Sequence, residues 1–565
     1  MYVNKKLASL SILSWVLLPI IAFYFKFFPT IVSPLISDLF IVGLIFFLTL
    51  ILVKDSFLIK NSTDVLYLLP QCLIFTFLAR IIRYLRIPYP ALWDPYAHLI
   101  SFLNIHEYHT LNPIMKWWLP DIEGALCWPI MYLITESLTT IAGINYISLW
   151  KFQEPLLGVV FFLAIFILAR EVTRSNGIAL LAALLASFAS HIIFYQSEYH
   201  FQGLALIMFA FLVYSFIKSE STGGIAYRLL ILLFVPACIL SHYFSSLFLA
   251  VVFAIFLFIM QFLKIGGKKL PIRITEEGIS NSSIFLIIII SSLAYHLYVY
   301  SKHFETYVKM ILSTTHSYGA PLFGSSGAFF ITNITKSVRW ITFALAVISI
   351  AYILKTKDKK ELYLAIFWLI FLILGFIGEY LIWLEVGRIV VFYELITGTF
   401  AAMTLFRFRD IWISKISRNK KTFVACLLAS IIITFTFFGG HYMPAYYFKS
   451  FGMNDHYWCS NRLPNMDAYI PAGKWMNNYV PNSSKFITDF DRYGFTCSMV
   501  LFWGKKSAEN IIKTNSPINM GTKILLQEQN VYVVLNEGYR YSNYESFTHL
   551  VNRTYTNGEI GVYIK

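Results

Sequence analysis

Trp93-Asp94-Pro95-Tyr96-Ala97-His98-Leu99 follows an apolar run with a basic end, Asp64 to Pro88, and opens a long loop that extends from residue 87 to about residue 152. If the chain turns helical after Pro95, Asp94 and His98 share one face, because side chains at i and i+4 are neighbours. A carboxylate and an imidazole set into a large loop between apolar runs mark this stretch as the place where chemistry is done. The fold class depends on what those runs are.

The chain has 565 residues, of which 58% are hydrophobic and 13% charged. Soluble domains carry about 25% charged residues, so the balance indicates a multispan membrane protein. The 18% aromatic content fits belts of Phe, Tyr and Trp at membrane interfaces. The first apolar run, Leu7 to Phe25, is long enough to span and has no small-residue cleavage site after it, so it is expected to stay as a helix. The net charge of +15 does not point to nucleic acid, because most basic residues fall in short loops between apolar runs. Of six cysteines, Cys72, Cys127, Cys238 and Cys426 lie in or beside apolar stretches. Cys459 and Cys497 share a polar region, where a disulfide and two free thiols are both open.

A span needs about 20 mostly apolar residues. On that rule the sequence predicts thirteen membrane helices, starting near residues 8, 36, 65, 153, 176, 201, 227, 245, 281, 337, 361, 389 and 421. With the N-terminus cytoplasmic, the loops on that side hold Lys5 and Lys6, Lys54 and Lys60, Arg170 and Arg174, Lys218 and Arg228, Lys264 to Arg273, Lys355 to Lys360, and Arg407 to Lys421. The opposite short loops hold few, and this bias sets the orientation. The Trp93 loop and the polar C-terminal region therefore face outward, across the cell membrane from the N-terminus. Arg80, Arg83 and Arg86 run against the bias. Either they snorkel to the interface, or the third span is shifted from its assigned place, or they hold an anionic lipid headgroup beside Asp94.

Within the first loop, Lys116-Trp117-Trp118-Leu119-Pro120-Asp121 precedes a semi-apolar segment, Trp128 to Ile144, broken by Thr135, Glu136, Thr139 and Thr140. It is expected to lie on the membrane surface, since a crossing there would invert every later loop. After His441 to Tyr447 hydropathy falls. Pro471 to Tyr479 reads as a helix, and Lys485 to Thr488, Val531 to Leu535 and Gly561 to Ile564 as strands. The expected organisation is a polytopic all-α membrane module over residues 1–440 and a small extracytoplasmic α/β domain over residues 441–565. Asn482-Ser-Ser and Asn552-Arg-Thr are glycosylation sequons on that side.

On this topology, polar groups from four distant segments gather at the outward depth: Asp94 and His98; Glu198 and His200; His242; and Glu379, Glu385 and Arg388. A transporter would place such groups near the midplane. Each has a bland alternative. Asp94 before Pro95 suits a helix cap, His200 and His242 singly suit packing, and Glu385 with Arg388 is at the spacing of an ordinary i, i+3 ion pair.

The aspartate at the start of a large first outer loop, the surface helix ending in Ala142-Gly143-Ile144, the span closing with Leu168-Ala169-Arg170-Glu171 and the outward tail together resemble the GT-C superfamily of integral-membrane glycosyltransferases. The ending Val551-Asn-Arg-Thr-Tyr-Thr-Asn-Gly-Glu-Ile-Gly-Val-Tyr563 is similar to the closing strands of many prokaryotic members. The resemblance runs from residue 65 to the end of the sequence. It implies a sugar donor on a polyprenyl phosphate, an acceptor that is a glycan, a lipid or a protein, and Asp94 as the catalytic carboxylate. The Trp-Trp-Asp-Tyr-Gly signature of oligosaccharyltransferases is absent, and Asp94 is followed by Pro95 where related enzymes carry a second acid. The acceptor and the use of a metal therefore stay open.

Glycosyl transfer passes through an oxocarbenium-like state. Asp94 would take the acceptor hydroxyl proton as general base, with His98 orienting it or sharing a metal. A lipid phosphate leaves readily and needs cationic stabilisation, for which Arg388 is the first candidate and Arg80 and Arg83 the second. Glu198, His200, His242, Glu379 and Glu385 would line the substrate site or bind a divalent cation, for which carboxylates suit Mg²⁺ or Mn²⁺. Two alternatives share the topology: a polymerase or ligase for lipid-linked oligosaccharides, and a transporter or flippase for lipid-linked glycans.

Overall fold

The computed structural model describes residues 5–27, 34–86, 98–99, 101–103, 105–106, 109–111, 128–196, 201–266, 282–299, 329–356, 358–377, 386–411, 417–450, 475–476, 478–481, 485–488, 511–513, 531–536, 552–556 and 560–564. Two compact units are formed, one from residues 1–88 and 147–450 and the other from residues 89–146 and 451–565.

The first unit is helical: α1 Lys5–Phe27, α2 Pro34–Leu58 and α3 Ser62–Arg86 come before the first loop. With α4 kept for the helix inside that loop, the unit continues with α5 Tyr146–Thr173, α6 Asn176–Ser187, α7 Ser190–Gln196, α8 Phe201–Thr222, α9 Ile225–Ser241 and α10 Tyr243–Gly266. It closes with α11 Ser282–Tyr298, α12 Phe329–Thr356, α13 Lys359–Ile377, α14 Val386–Ile411 and α15 Arg418–Ser450. Each of the thirteen apolar runs forms a helix. Among the described residues, eight helices are long and apolar enough to cross a membrane, and four shorter apolar helices lie at Leu10–Tyr24, Asn176–Ser187, Ile225–Ser241 and Leu286–Tyr298.

Helix α6 departs most from a simple span. Its 12 residues are about 18 Å long at 1.5 Å per residue, against a bilayer core of about 30 Å. Ser175 caps its start by accepting from the Ile178 amide at 3.4 Å. The chain then bends at Phe188 and Ala189 and resumes as the seven-residue α7. Nearly the whole of α6 is buried, and its small side chains let α14 approach closely. A Cβ placed on Gly398 of α14 would lie 2.8 Å from the Ala186 amide nitrogen and 3.0 Å from the Ala182 carbonyl oxygen. Around this seam, α2 packs on α15 and α6, α12 on α14 and α15, and α13 on α14, while α8, α9, α10 and α11 pack in succession. Outward-turned Phe258, Phe262, Leu233 and Ile290 are exposed on helix surfaces suited to lipid.

One end of this unit is tied by ion pairs between loops that the charge bias assigns to a single side. Glu171 meets Lys218 at 2.8 Å and also pairs with Lys360. Arg174 meets Asp358 at 3.3 Å, and Arg407 meets Glu361 at 3.4 Å while stacking on the Tyr352 ring.

In the second unit, α4 (Ile130–Thr140) is an 11-residue helix, too short to cross a bilayer. Gly143, at φ +65°, ends it, and the Ile144 amide returns to the Leu138 carbonyl at 3.3 Å. The C-terminal part contributes a five-stranded sheet of β1 Lys485–Thr488, β2 Ile511–Lys513, β3 Val531–Asn536, β4 Asn552–Thr556 and β5 Ile560–Ile564, in the order β2-β1-β3-β5-β4. Strand β1 runs parallel to β2 and β3, and β5 runs antiparallel to β3 and β4. Asn557-Gly558, between β4 and β5, is the dipeptide that tight hairpins favour. Three of the five strands coincide with the segments that sequence alternation marked. The described residues of the expected 471–479 helix, Trp475, Met476, Asn478 and Tyr479, are helical.

Candidate functional site

Among the described residues of the membrane unit, buried polar side chains come together inside apolar helices, in groups that include those around Arg80, His191 and His242. The first is built on Arg80, which is fully buried in α3. Its Nη1 donates to the Thr76 carbonyl at 3.0 Å, and Nη2 donates to the Ser187 carbonyl at 2.9 Å. Nε and Nη2 both donate to Gln196 Oε1, at 3.2 and 2.6 Å. Ser187 is the last residue of α6, so its carbonyl lacks an intrahelical partner, and a cation there also suits the helix dipole. The guanidinium needs close backbone approach: a Cβ on Gly158 of α5 would lie 2.1 Å from Arg80 Nε and 2.3 Å from Cδ. The buried carboxyl of Glu154, one turn earlier on α5, attracts the same guanidinium. A Cβ on Gly203 of α8 would lie 2.2 Å from Glu154 Oε2. Arg80 does not snorkel; its hydrogen bonds are made to protein acceptors.

The second group joins α7, α12 and α14. His191 Nδ1 lies 2.9 Å from Glu394 Oε1 and 3.0 Å from Arg339 Nη2, and serves one of them at a time. Arg339 Nε lies 3.3 Å from Glu394 Oε1, and Nη2 donates to Ser190 Oγ at 3.2 Å. His191 and Glu394 are buried, whereas the Arg339 side chain is 36% exposed. Neither this group nor Glu154 was singled out from the sequence. The available signal was the lone ionisable residue within an apolar run, as in Phe188-Ala-Ser-His191-Ile-Ile-Phe194 and Val391-Phe-Tyr-Glu394-Leu-Ile396.

The third group lies where α9 meets α10. His242 is buried and caps α10, with Nδ1 3.1 Å from Ser245 Oγ and accepting from the Ser245 amide at 3.4 Å. Next to it, Ser246 Oγ lies 3.0 Å from His296 Nε2 of α11. The cap gives His242 a packing role of the kind weighed against its functional one.

In the second unit, His98 is half-buried, and its Nδ1 lies 3.2 Å from the Tyr132 hydroxyl of α4. Two turns on, His106 Nδ1 lies 2.8 Å from Glu136 Oε2, and the His106 ring stacks on Phe102. The helical stretch that follows Pro95 is thus docked on α4 by two histidines.

Asp94, Glu198, His200, Glu379 and Glu385, and the pair Cys459 and Cys497, lie outside the described residues. Arg83 falls on α3 and Arg388 on α14, with their side chains outside the description. Glu198 and His200 follow α7 directly in sequence, and Arg388 lies six residues before Glu394 on the same helix.

Among the described residues, no three His, Cys, Asp or Glu side chains come together as ligands for a divalent cation. The His191–Glu394 pair already faces the cation of Arg339.

No protein-family model matches the sequence, and no curated protein matches it. The fold is similar to that of the Archaeoglobus fulgidus oligosaccharyltransferase in its apo form, with a TM-score of 0.52 and 13% identity over 88% of this chain and 74% of that one. Two structures of ArnT from Cupriavidus metallidurans, one bound to undecaprenyl phosphate and one apo, align with TM-scores of 0.45 and 0.43 and 10% and 9% identity. They cover 84% and 77% of this chain and 97% and 87% of theirs. At this identity the likeness to the oligosaccharyltransferase is one of fold alone, and it agrees with the fold that the resemblance in the sequence implied.

Proposed function

We propose that this chain is an integral-membrane glycosyltransferase that moves a sugar from a polyprenyl-phosphate donor to a glycan, lipid or protein acceptor on the extracytoplasmic face of the cell membrane. The observation that carries the reading is the glycosyltransferase fold over 88% of the chain, with Asp94 at the head of its first large loop. In this reading residues 1–440 form a module of thirteen spans with the N-terminus cytoplasmic, and residues 441–565 form the extracytoplasmic α/β domain. The gathering of basic loops at one end of the helical unit supports that orientation.

Asp94 acts as general base on the acceptor hydroxyl. As the proton passes to the carboxylate, the acceptor oxygen bonds to the anomeric carbon. The bond from that carbon to the phosphate oxygen breaks, and polyprenyl phosphate leaves with the electron pair. The departing charge requires a cation with fork geometry. Arg388 takes that role first and Arg83 second. Arg80 is third, because its donors are given to Thr76, Ser187 and Gln196. His98 orients the segment that carries Asp94, through Tyr132. Glu198, His200, Glu379 and Glu385 line the substrate site, with His242 at its margin as a helix cap.

The test is transfer by purified protein in detergent, offered a panel of radiolabelled polyprenyl-phosphate sugars, with Asp94→Asn alongside. Label leaving the donor in the wild type and not in the variant is expected and names the sugar. An active Asp94→Asn enzyme would sink the assignment. Silence across the panel from folded protein would shift the reading to a polymerase with diphosphate-linked donors or to a flippase.

A further inference from the structure

Arg339 and Glu394 stand at matched heights on two helices that run side by side in the same direction. Arg339 Nε lies 3.3 Å from Glu394 Oε1, and thirteen residues further along each helix Arg407 stacks on the Tyr352 ring. Thirteen residues rise about 20 Å, against a hydrocarbon core of about 30 Å. Arg407 also meets Glu361, at the end of the unit where the basic loops gather. The Arg339 pair therefore lies in the opposite leaflet, within about 10 Å of the far edge of the hydrocarbon.

The guanidinium is used on one edge. Nε faces Glu394, and Nη2 donates to Ser190 Oγ at 3.2 Å and lies 3.0 Å from His191 Nδ1; all three partners are buried. Nη1 makes no hydrogen bond or ion pair among the described residues, and the side chain is 36% exposed. Glu394 Oε2 is buried and has no hydrogen-bond partner among the described residues. The pair is thus a single-point contact and not the two-bond fork that closes an arginine on a carboxylate. Trp340, next on α12, is 64% exposed, and Ile341 is exposed too, so this stretch of helix faces the bilayer. An arginine edge left open toward hydrocarbon is costly, and a headgroup phosphate within reach of the side chain relieves that cost.

We infer that Arg339, braced by His191 and Glu394, is a binding site for the phosphate of a membrane lipid in that leaflet. Nη1 donates to a phosphate oxygen while Nε and Nη2 stay on the protein. Glu394 already balances one charge, so a singly charged phosphodiester headgroup suits the site better than a doubly charged polyprenyl phosphate, although both carry the group a guanidinium recognises. The inference requires α12 to span a membrane. It does not depend on the glycosyltransferase reading, and its test needs no transfer assay.

The experiment uses the full chain, purified in an uncharged detergent and stripped of lipid, as wild type, Arg339→Gln, Arg339→Lys and Glu394→Gln. Each is titrated with phosphatidylglycerol, undecaprenyl phosphate, diacylglycerol and inorganic phosphate, with bound lipid counted by native mass spectrometry and the unfolding midpoint followed in parallel. The wild type is expected to retain phosphatidylglycerol over diacylglycerol and to gain midpoint from it. Arg339→Gln is expected to weaken that binding about 10- to 100-fold, and Arg339→Lys to weaken it less. Glu394→Gln keeps the guanidinium and removes the neighbouring negative charge, so binding is expected to tighten about two- to tenfold. A purely structural ion pair predicts a loss from either side.

Unchanged phosphatidylglycerol binding in folded Arg339→Gln would overturn the site, and so would a loss in Glu394→Gln as large as that in Arg339→Gln. Should Arg339→Gln fail to fold, Arg339→Lys and Glu394→Gln decide by the same signs. Diacylglycerol retained as well as phosphatidylglycerol would overturn recognition of the phosphate. Inorganic phosphate competing at equal affinity would overturn the lipid as occupant. Undecaprenyl phosphate bound more tightly than phosphatidylglycerol, with the same loss in Arg339→Gln, would uphold the phosphate site and name its lipid.

Discussion

Arg80 Nη2 donates to Gln196 Oε1 at 2.6 Å, joining α3 to α7 across 116 positions of sequence. The same side chain also holds the final carbonyl of α6, so one guanidinium fixes the bend between α6 and α7 from outside. Arg80→Met would strand the Gln196 and Ser187 acceptors in an apolar setting and remove the cation facing Glu154. The expected loss is about 3 kcal/mol, in line with breaking a buried charged network. Arg80→Lys should recover little, because an ammonium lacks the planar fork that reaches Thr76, Ser187 and Gln196 together. Thermal unfolding in detergent checks both; equal midpoints for Lys and Arg would contradict the role given to the fork.

Gly158 is the complementary position. A methyl group there would meet Arg80 Nε and Cδ at 2.1 and 2.3 Å, inside van der Waals contact, and the side chain it meets is held at both guanidinium ends. Gly158→Ala is therefore expected to destabilise by about 1–3 kcal/mol, despite the better helix propensity of alanine. In an Arg80→Ala background the substitution should become neutral or favourable. A cycle of the four proteins followed by thermal unfolding measures the coupling.

The helical class was legible because apolar runs and charged loops are dictated by the solvent. Lipid demands satisfied backbones and unbroken hydrophobicity, and every run that met this became a helix. The α6 bend was not legible. Ala179 to Ser190 holds no charge, glycine or proline, and only packing against Gly398 and the contact from Arg80 show where the helix stops. The site divides similarly. Arg80 was flagged as a charge out of place, but its role depends on Gln196, an unremarkable residue more than a hundred positions away. His191, Arg339 and Glu394 each look incidental in their own segment, and only the fold makes them one group.

Gly398 tests the seam that carries this arrangement. Its Cα faces the Ala182 carbonyl and the Ala186 amide so closely that any Cβ would lie about 3 Å from backbone, which cannot rotate away. Gly398→Val should push α14 off α6 and disturb Glu394, a turn away on the same helix. The expected outcome is a lowered unfolding midpoint together with lost glycosyl transfer. Gly43, with nothing within 4 Å of an added Cβ, supplies the control: Gly43→Val should leave both measurements near wild type.

His98 and Asp94 should separate in kinetics. His98 Nδ1 lies 3.2 Å from the Tyr132 hydroxyl, so His98→Phe keeps a flat ring in place and removes a hydrogen bond worth about 1 kcal/mol. A decrease of about five- to tenfold in kcat is expected, against about 10² or more for Asp94→Asn, which removes the proposed base. Tyr132→Phe should match His98→Phe, and the double variant should add little to either. A His98→Phe loss as large as that of Asp94→Asn would give the imidazole a direct chemical part.

Glu171 anchors the opposite end of the helical unit, and its substitution probes stability apart from the site. It faces Lys218 at 2.8 Å and Lys360 as well, and its side chain is only 12% exposed, so Glu171→Gln would leave two partly buried ammonium groups facing a neutral amide. Partly buried charge networks are screened less than surface pairs, and a loss of about 1–3 kcal/mol is expected. The loss should vary with salt less than that of Arg174→Gln, whose side chain is 69% exposed and whose pair with Asp358 should be worth less than about 1 kcal/mol. Because Glu171 lies at the far end of α5 from Glu154, kcat measured well below the unfolding midpoint should stay near wild type. Thermal unfolding at low and high salt, with transfer assayed in parallel, reads all three expectations. A fall in kcat without a fall in midpoint would show that this end of the bundle communicates with the site.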